Sequence, residues 1–318
     1  MRAITLGRAI PLLATAAVVA LRAMAAVADS PAAAFDAAAL PPIDAATSLL
    51  VVAPHPDDET LCCAGLIQRV LQAGGHASVV WITSGDAERS GLLLLERILF
   101  RGAARARELG EQRMAEARAA TALLGMPASG QLFLGYPDGG VLGLLTGNRS
   151  VRYTSPATGA AAVPYSDALF PDHPYSGASL EHDFAAVLER TQPTLILAPS
   201  PRDTHADHRA AGLLTLAVSA RSAPQPQVRY WIVHGGEGWP GPRELSPGIP
   251  LTPAPRASGL TPTAFALTPA EEDRKLLALR AYATQMRAMA PFLLAFVRTT
   301  EVFFLLPEPP VPAPRRAD

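Results

Sequence analysis

Cysteine is almost missing from this chain: its 318 residues include two, Cys62 and Cys63, and these are adjacent. Neighbouring cysteines do not ordinarily reach disulfide geometry without strain, so no disulfide framework is expected. The pair also lacks the C-x-x-C spacing of redox and zinc motifs, and both residues are expected to pack as small side chains near the start of a helix. An excess of one charge is missing too. The formal net charge is −1 and the arginines are scattered along helical stretches, which excludes the basic footprint of a nucleic-acid binder. No G-x-G-x-x-G follows the first strand-like run, where the turn is acidic and would repel a pyrophosphate. A nucleotide-binding Rossmann domain thereby lacks support, and no internal repeat is present.

What the chain does have is 49% hydrophobic and 17% charged residues, the balance of a folded globular protein. At its N-terminus Arg2 and Arg8 precede an apolar run from Ala9 to Leu21, followed by Ala26–Val27–Ala28. That order is expected of a secretory signal peptide over residues 1–28, with a mature chain from near Asp29 and export to the periplasm or the extracellular space. Arg22, between the run and the cleavage site, keeps a retained N-terminal anchor as the alternative; no stable membrane span is expected once the leader is cleaved. Residues 29–46, rich in Ala and Pro, are expected to be a linker, residues 47–306 the working domain, and the Pro-rich residues 307–318 a disordered tail.

From Ser48 onward strands and helices alternate. Ser48 to Ala53 is a short apolar run suited to a buried parallel strand. A helix is expected from Thr60 to Ala73, a strand from Ala77 to Thr83, and a long helix from Ala103 to Leu124. Strands at Gln131–Leu134, Thr194–Ala198 and Val228–Val233, with helices at Leu180–Arg190 and His208–Ala220, complete the pattern. Such alternation predicts an α/β fold, a Rossmann-like parallel sheet in three layers. Ligands in such sheets bind beyond the carboxyl ends of the strands. Two long segments, Gly139 to Pro174 and Glu237 to Pro262, are expected to be rim loops.

Two chemically dense segments each follow a strand. The first is Pro54–His55–Pro56–Asp57–Asp58–Glu59. One or two acids there could serve only the positive end of a helix, but three acids beside a histidine repel unless a cation or a proton intervenes. The second is His205–Ala206–Asp207–His208, which sets two histidines on one helical turn. His55, Asp58 and His208 can close on one zinc ion and leave a position open, as catalytic zinc sites do. Bound zinc lowers the pKa of water to about 7. Asp57 diverges from its neighbour Asp58 and is left to act as general base. His205 is placed to stabilise an oxyanion or to protonate a leaving amine, with Asp207 holding its imidazole.

These two motifs resemble the signatures of the LmbE/PIG-L family of metal-dependent N-deacetylases, (A/P)HPDDE and HxDH. The similarity extends to Thr83–Ser84–Gly85–Asp86, to Arg113, Glu116 and Leu124–Gly125, and to Leu134–Gly135–Tyr136–Pro137–Asp138–Gly139. It continues through Lys275…Leu279 to Gln285 and Glu301–Val302–Phe303, and so covers roughly Leu49 to Phe304. Cys62 departs from it, standing where the family tends to have Gly. The resemblance implies a Rossmann-like fold, zinc on His55, Asp58 and His208, Asp57 as base and His205 beside the tetrahedral intermediate. It also implies Arg113 and Asp138 as holders of sugar hydroxyls, and removal of an N-acetyl group from an N-acetylglucosamine-type sugar or glycoconjugate. An amidase acting on a thiol-sugar conjugate or an acylated secondary metabolite shares those residues, and so does a sugar- or metal-binding protein without turnover. The intact Asp57 speaks against the last, since a binder needs no base.

Overall fold

The computed structural model describes residues 40–87 and 102–306. The expected leader, most of the linker and the C-terminal tail lie outside the described residues.

Strand β1 (Ser48–Ala53) is central, with every residue after Ser48 buried. It pairs in parallel with β2 (His76–Thr83) on one side and β4 (Leu195–Pro199) on the other. Strand β3 (Gln131–Tyr136) lies in parallel beyond β2, and β5 (Gln227–Trp231) beyond β4. The full order is β3-β2-β1-β4-β5-β7-β6. Successive strands depart to opposite sides of β1, so the crevice between β1 and β4 is the topological switch point. The unbroken apolar runs of β1, β2 and β4 suit strands covered on both faces.

Helix α1 (Asp58–Gln72) follows β1, and α2 (Ala103–Leu123) precedes β3. A short α3 (Val141–Thr146) and then α4 (Gly177–Thr191) lead to β4, and α5 (Ala206–Ser219) to β5. After β5 come β6 (Pro262–Ala266), α6 (Pro269–Ala281), α7 (Ala283–Leu294) and β7 (Thr300–Phe304).

The expected α/β fold is present, and its mostly parallel sheet is mixed at one side, where β7 runs antiparallel to both β5 and β6. The cause is visible in β6, which alternates buried and exposed residues at the sheet edge, the pattern of an antiparallel strand with one face in solvent. One expectation needs correction: Cys62 and Cys63 are joined in a vicinal disulfide, although their adjacency holds the Cα atoms at 3.8 Å, closer than bridged pairs usually stand. Both side chains are buried in the core, and the chain holds no other cysteine with which either could pair.

Several cross-element bonds brace α1 beneath the switch point. Lys275, the chain's one lysine, donates from Nζ to Leu61 O at 2.8 Å and to Glu301 Oε1 at 3.0 Å. Glu301 in turn accepts the backbone N–H groups of Gly65 and Leu66. Arg69 makes a two-pronged bond to Glu271, which also completes the capping box of α6 with Thr268. Glu116 on α2 accepts both the N–H and the hydroxyl of Thr284 at the start of α7.

Candidate active site

Both dense segments emerge at the carboxyl ends of β1 and β4, on either side of the switch point. They face a cavity of about 370 Å³ whose lining includes His55, Asp57, Asp58, Arg113, Asp138 and His205. An apolar wall of Leu61, Met289, Phe292 and Leu293 closes another side. Of the eight residues singled out from the sequence, these six line the cavity. His208 and Asp207 stand immediately behind it and are fully buried.

Asp58 joins the two segments. Its Oδ2 lies 3.2 Å from His55 Nδ1 and 3.2 Å from His208 Nε2. Among the described residues, the sets whose donor atoms all lie within 4.8 Å of one another are His55–His205–His208 and His55–Asp138–Asp207. His55 is common to all of these combinations, because its Nδ1 faces Asp58 while its Nε2 stands 3.3 Å from Asp138 and 3.4 Å from Asp207.

The donor set fits a metal ion. His55 Nε2 and His208 Nε2 are buried ring nitrogens that make no well-aligned hydrogen bond although carboxylate oxygens stand 3.2–3.4 Å away, and a cation among these donors would satisfy them together. His208 is also pre-oriented. Its Nδ1 bonds Asp203 Oδ2 at 3.2 Å, which directs the Nε2 lone pair toward Asp58 in the manner of second-sphere carboxylates at metal sites. Asp203 is itself held rigidly: Oδ2 accepts the N–H groups of Val233 and His234, both at 3.0 Å, and Oδ1 accepts that of His205 at 2.8 Å.

The electrostatics agree. Burial works against a charge on His55, yet Asp138, Asp207 and Asp58 raise its pKa well above the usual imidazole value. Burial likewise opposes charge on His208, and Asp58 and Asp203 overcome it, pushing the ring up to about 9. Acids arranged to favour positive charge on two imidazoles equally favour a divalent cation, whose binding displaces those protons. Asp203 itself, despite burial, is drawn down to about 2 by His208.

Asp57 has an unusual backbone. Its φ is 133°, a region that costs a non-glycine residue about 1–3 kcal/mol and persists only where the surroundings enforce it. Arg113 supplies part of that enforcement, donating to Pro56 O at 2.8 Å, to Asp57 Oδ2 at 3.2 Å and to Gly85 O at 3.0 Å. The guanidinium expected to grip a sugar therefore grips Asp57. Gly85 has φ 69°, and a Cβ there would collide with the guanidinium. Burial raises the Asp57 pKa well above the ordinary carboxylate range, with Arg113 acting in the opposite direction.

His205 caps α5. Its Nδ1 accepts the N–H of Asp207 at 3.3 Å, which leaves the ring proton on Nε2. Burial and the neighbouring His55 and His208 lower its pKa to about 4, so the neutral ring is a hydrogen-bond donor. The expected grip of Asp207 on this imidazole takes another form, since the contact runs through the Asp207 backbone. Its carboxylate instead accepts the N–H groups of Gly139 and Val141 at the start of α3.

Sequence reasoning passed over Asp203 and His234. His234 follows β5, lines the cavity and stacks on Phe292 with ring centroids 5.6 Å apart. Burial and then His208 lower its pKa to about 3. Both residues lie just beyond strand ends, the position that marked the two motifs, so the same rule applied to β4 and β5 would have found them.

Residues 50–219 match the family described as PIG-L, GlcNAc-PI de-N-acetylase. A 1D-myo-inositol 2-acetamido-2-deoxy-alpha-D-glucopyranoside deacetylase of Tsukamurella paurometabola is 31% identical over 278 residues, 79% of this chain and 86% of that protein. The protein of the same description from Thermobifida fusca is 27% identical over 181 residues, 55% of each chain. Among solved structures, the N,N'-diacetylchitobiose deacetylase of Pyrococcus horikoshii superposes with TM-score 0.51 at 19% identity, covering 82% of this chain and 84% of that one. A deacetylase of the teicoplanin biosynthesis pathway gives TM-score 0.52 at 17% identity, covering 80% and 96%. The structural likenesses establish a shared α/β fold, and the matched residues establish the lineage. The chain belongs to the PIG-L family, enzymes that hydrolyse a carbon–nitrogen bond to remove an acyl group.

Proposed function

We propose that this enzyme is a zinc-dependent hydrolase that removes the acetyl group from an N-acetylglucosamine-type sugar or glycoconjugate. The carrying observation is the meeting of Asp58 with His55 and His208 from two strand ends, beside Asp57 and His205, in one cavity. The sugar assignment draws on the relatives described as deacetylases of an acetamido-glucopyranoside.

His55, Asp58 and His208 would hold the zinc ion. Once bound there, it would polarise the acyl carbonyl and acidify water. Asp57 is positioned by Arg113 to take a proton from the attacking water and to return it to the departing nitrogen, so that acetate and a free amine result. His205, with its proton on Nε2, offers a hydrogen bond to the oxygen that gains charge as the carbonyl carbon becomes tetrahedral. Asp138 lines the same cavity as an acceptor for sugar hydroxyls, its Oδ2 anchored by the N–H of Ala87 at 2.9 Å. Arg113 serves here as a support of the base rather than as a primary sugar ligand.

The test is release of free amine from a panel of N-acetylated sugars, including N-acetylglucosamine, N,N'-diacetylchitobiose and the acetamido-glucopyranosyl inositol. At least one should be hydrolysed, and chelation should abolish the reaction. Failure across the whole panel would overturn the sugar assignment.

A further inference from the structure

Glu59 and Tyr282 have no part in the chemistry above, yet they belong to a densely bonded polar cluster under Asp57. Glu59 is wholly buried. Its Oε1 accepts the hydroxyls of Tyr282 and Thr60. Its Oε2 accepts Trp81 Nε1 at 2.9 Å and the backbone N–H of Asp57 at 3.3 Å. The donors come from α1, from the residue before it, from β2 and from the junction of α6 with α7, and all four converge on one carboxylate.

A carboxylate in the first turn of a helix needs no explanation beyond the helix dipole. The dipole alone does not call for a tyrosine from a distant junction or a tryptophan from the next strand. Nor does it account for the bond to the residue whose φ is 133°. Asp57 is held on its side-chain face by Arg113 and at its backbone N–H by Glu59. The peptide preceding Asp57 is held at its carbonyl by Arg113 and at its N–H by Glu59; without the second hold it can turn about the remaining bond toward ordinary φ values, and the carboxylate moves with it.

We propose that Glu59, fixed by Tyr282, Trp81 and Thr60, is a positioning residue that locks the backbone of Asp57 in its left-handed conformation and so aims the catalytic carboxylate. This rests on the reading of Asp57 as the base. The lock requires an acceptor at Glu59, not a charge. An amide at that position can still accept from Asp57 and Trp81 while donating to the two hydroxyls, which rotate to receive it.

The deciding experiment compares Glu59→Leu, Glu59→Gln and Tyr282→Phe, each alone and with Asp57→Asn, using whichever N-acetylated sugar of the panel the wild type hydrolyses best. Crystal structures of the single variants accompany the kinetics. Glu59→Leu should lower kcat about 100-fold, the scale of an ångström-level misplacement, with KM changed less than about twofold and zinc content unchanged. Glu59→Gln should recover to within about fivefold of wild type, and Tyr282→Phe should lose roughly tenfold. In the Asp57→Asn background the same changes should alter the residual rate by less than about twofold. The crystal structure of Glu59→Leu, or of Tyr282→Phe should the former not fold, should show Asp57 displaced from φ near 133°. Wild-type kcat in Glu59→Leu, a Gln variant as impaired as the Leu variant, or an undiminished loss in the Asp57→Asn background would each overturn the proposal. So would an Asp57 backbone unmoved in the variant structures. An Asp57→Asn enzyme with normal turnover would instead remove the reading on which the proposal rests.

Discussion

Removing the Asp203 carboxylate would leave three backbone N–H groups and the Nδ1 of His208 short of an acceptor. Asp203→Ala is therefore expected to loosen His208 and weaken zinc binding about 10–100-fold. A competition titration against a chromogenic chelator measures this, and unchanged affinity would remove Asp203 from the metal site. His208→Ala should lose the ion outright. The proposed ligands and their catalytic neighbours were legible in the sequence because each motif is local: His55, Asp57 and Asp58 lie within four positions, and His205, Asp207 and His208 within four more. The jobs of Arg113, Asp203 and Glu59 were not. Each depends on a bond to a residue far along the chain or on how a loop turns back, as with Arg113 and Asp57, 56 positions apart.

At the scale of elements, α1 has the task of carrying Asp58 at its start and Leu61 into the cavity wall. It is held from behind by the buried Lys275–Glu301 pair. Lys275→Ala leaves a buried carboxylate without its counter-ion, and the expected loss is about 3–5 kcal/mol of stability. Urea denaturation checks this, and a loss below about 1 kcal/mol would contradict the bracing role. The parallel core was readable from its apolar runs: β1 is observed at Ser48–Ala53, as expected, and the other parallel strands within two residues at each end. Beyond β5, motif residues on α6, at the start of α7 and on β7 were legible without an assigned structure, and β6 was not recognised. β6 is a five-residue edge strand, and α7 contains Pro291 and a non-helical Met289, so neither carries a clear period. The residues quoted there from resemblance prove to be braces: Lys275 and Glu301 on α1, Tyr282 on Glu59, and Thr284 on Glu116.

For the molecule as a whole, the acid-rich site has a consequence for stability. Burial, reinforced by Asp138, pushes Asp86 up to about 7, while an unfolded aspartate titrates near 3.9. A raised folded-state pKa means that its contribution to stability is complete below about pH 4 and is lost as the pH rises through about 7. Asp86→Asn should therefore gain stability over wild type at pH 8 relative to pH 5, read from urea midpoints; an equal difference at both pH values would contradict this. The leader reading predicts an exported mature chain beginning near Asp29, which N-terminal sequencing of the native protein tests, an intact Met1 in cytosolic protein being the contrary result. The most direct test of the central claim joins metal analysis and amine release on the same preparations of wild type and Asp57→Asn. About one zinc per chain is expected in both, with amine released from an N-acetylated sugar by the wild type alone and only until the metal is chelated. Normal turnover by Asp57→Asn, or turnover by the wild type that survives removal of the metal, would contradict the account.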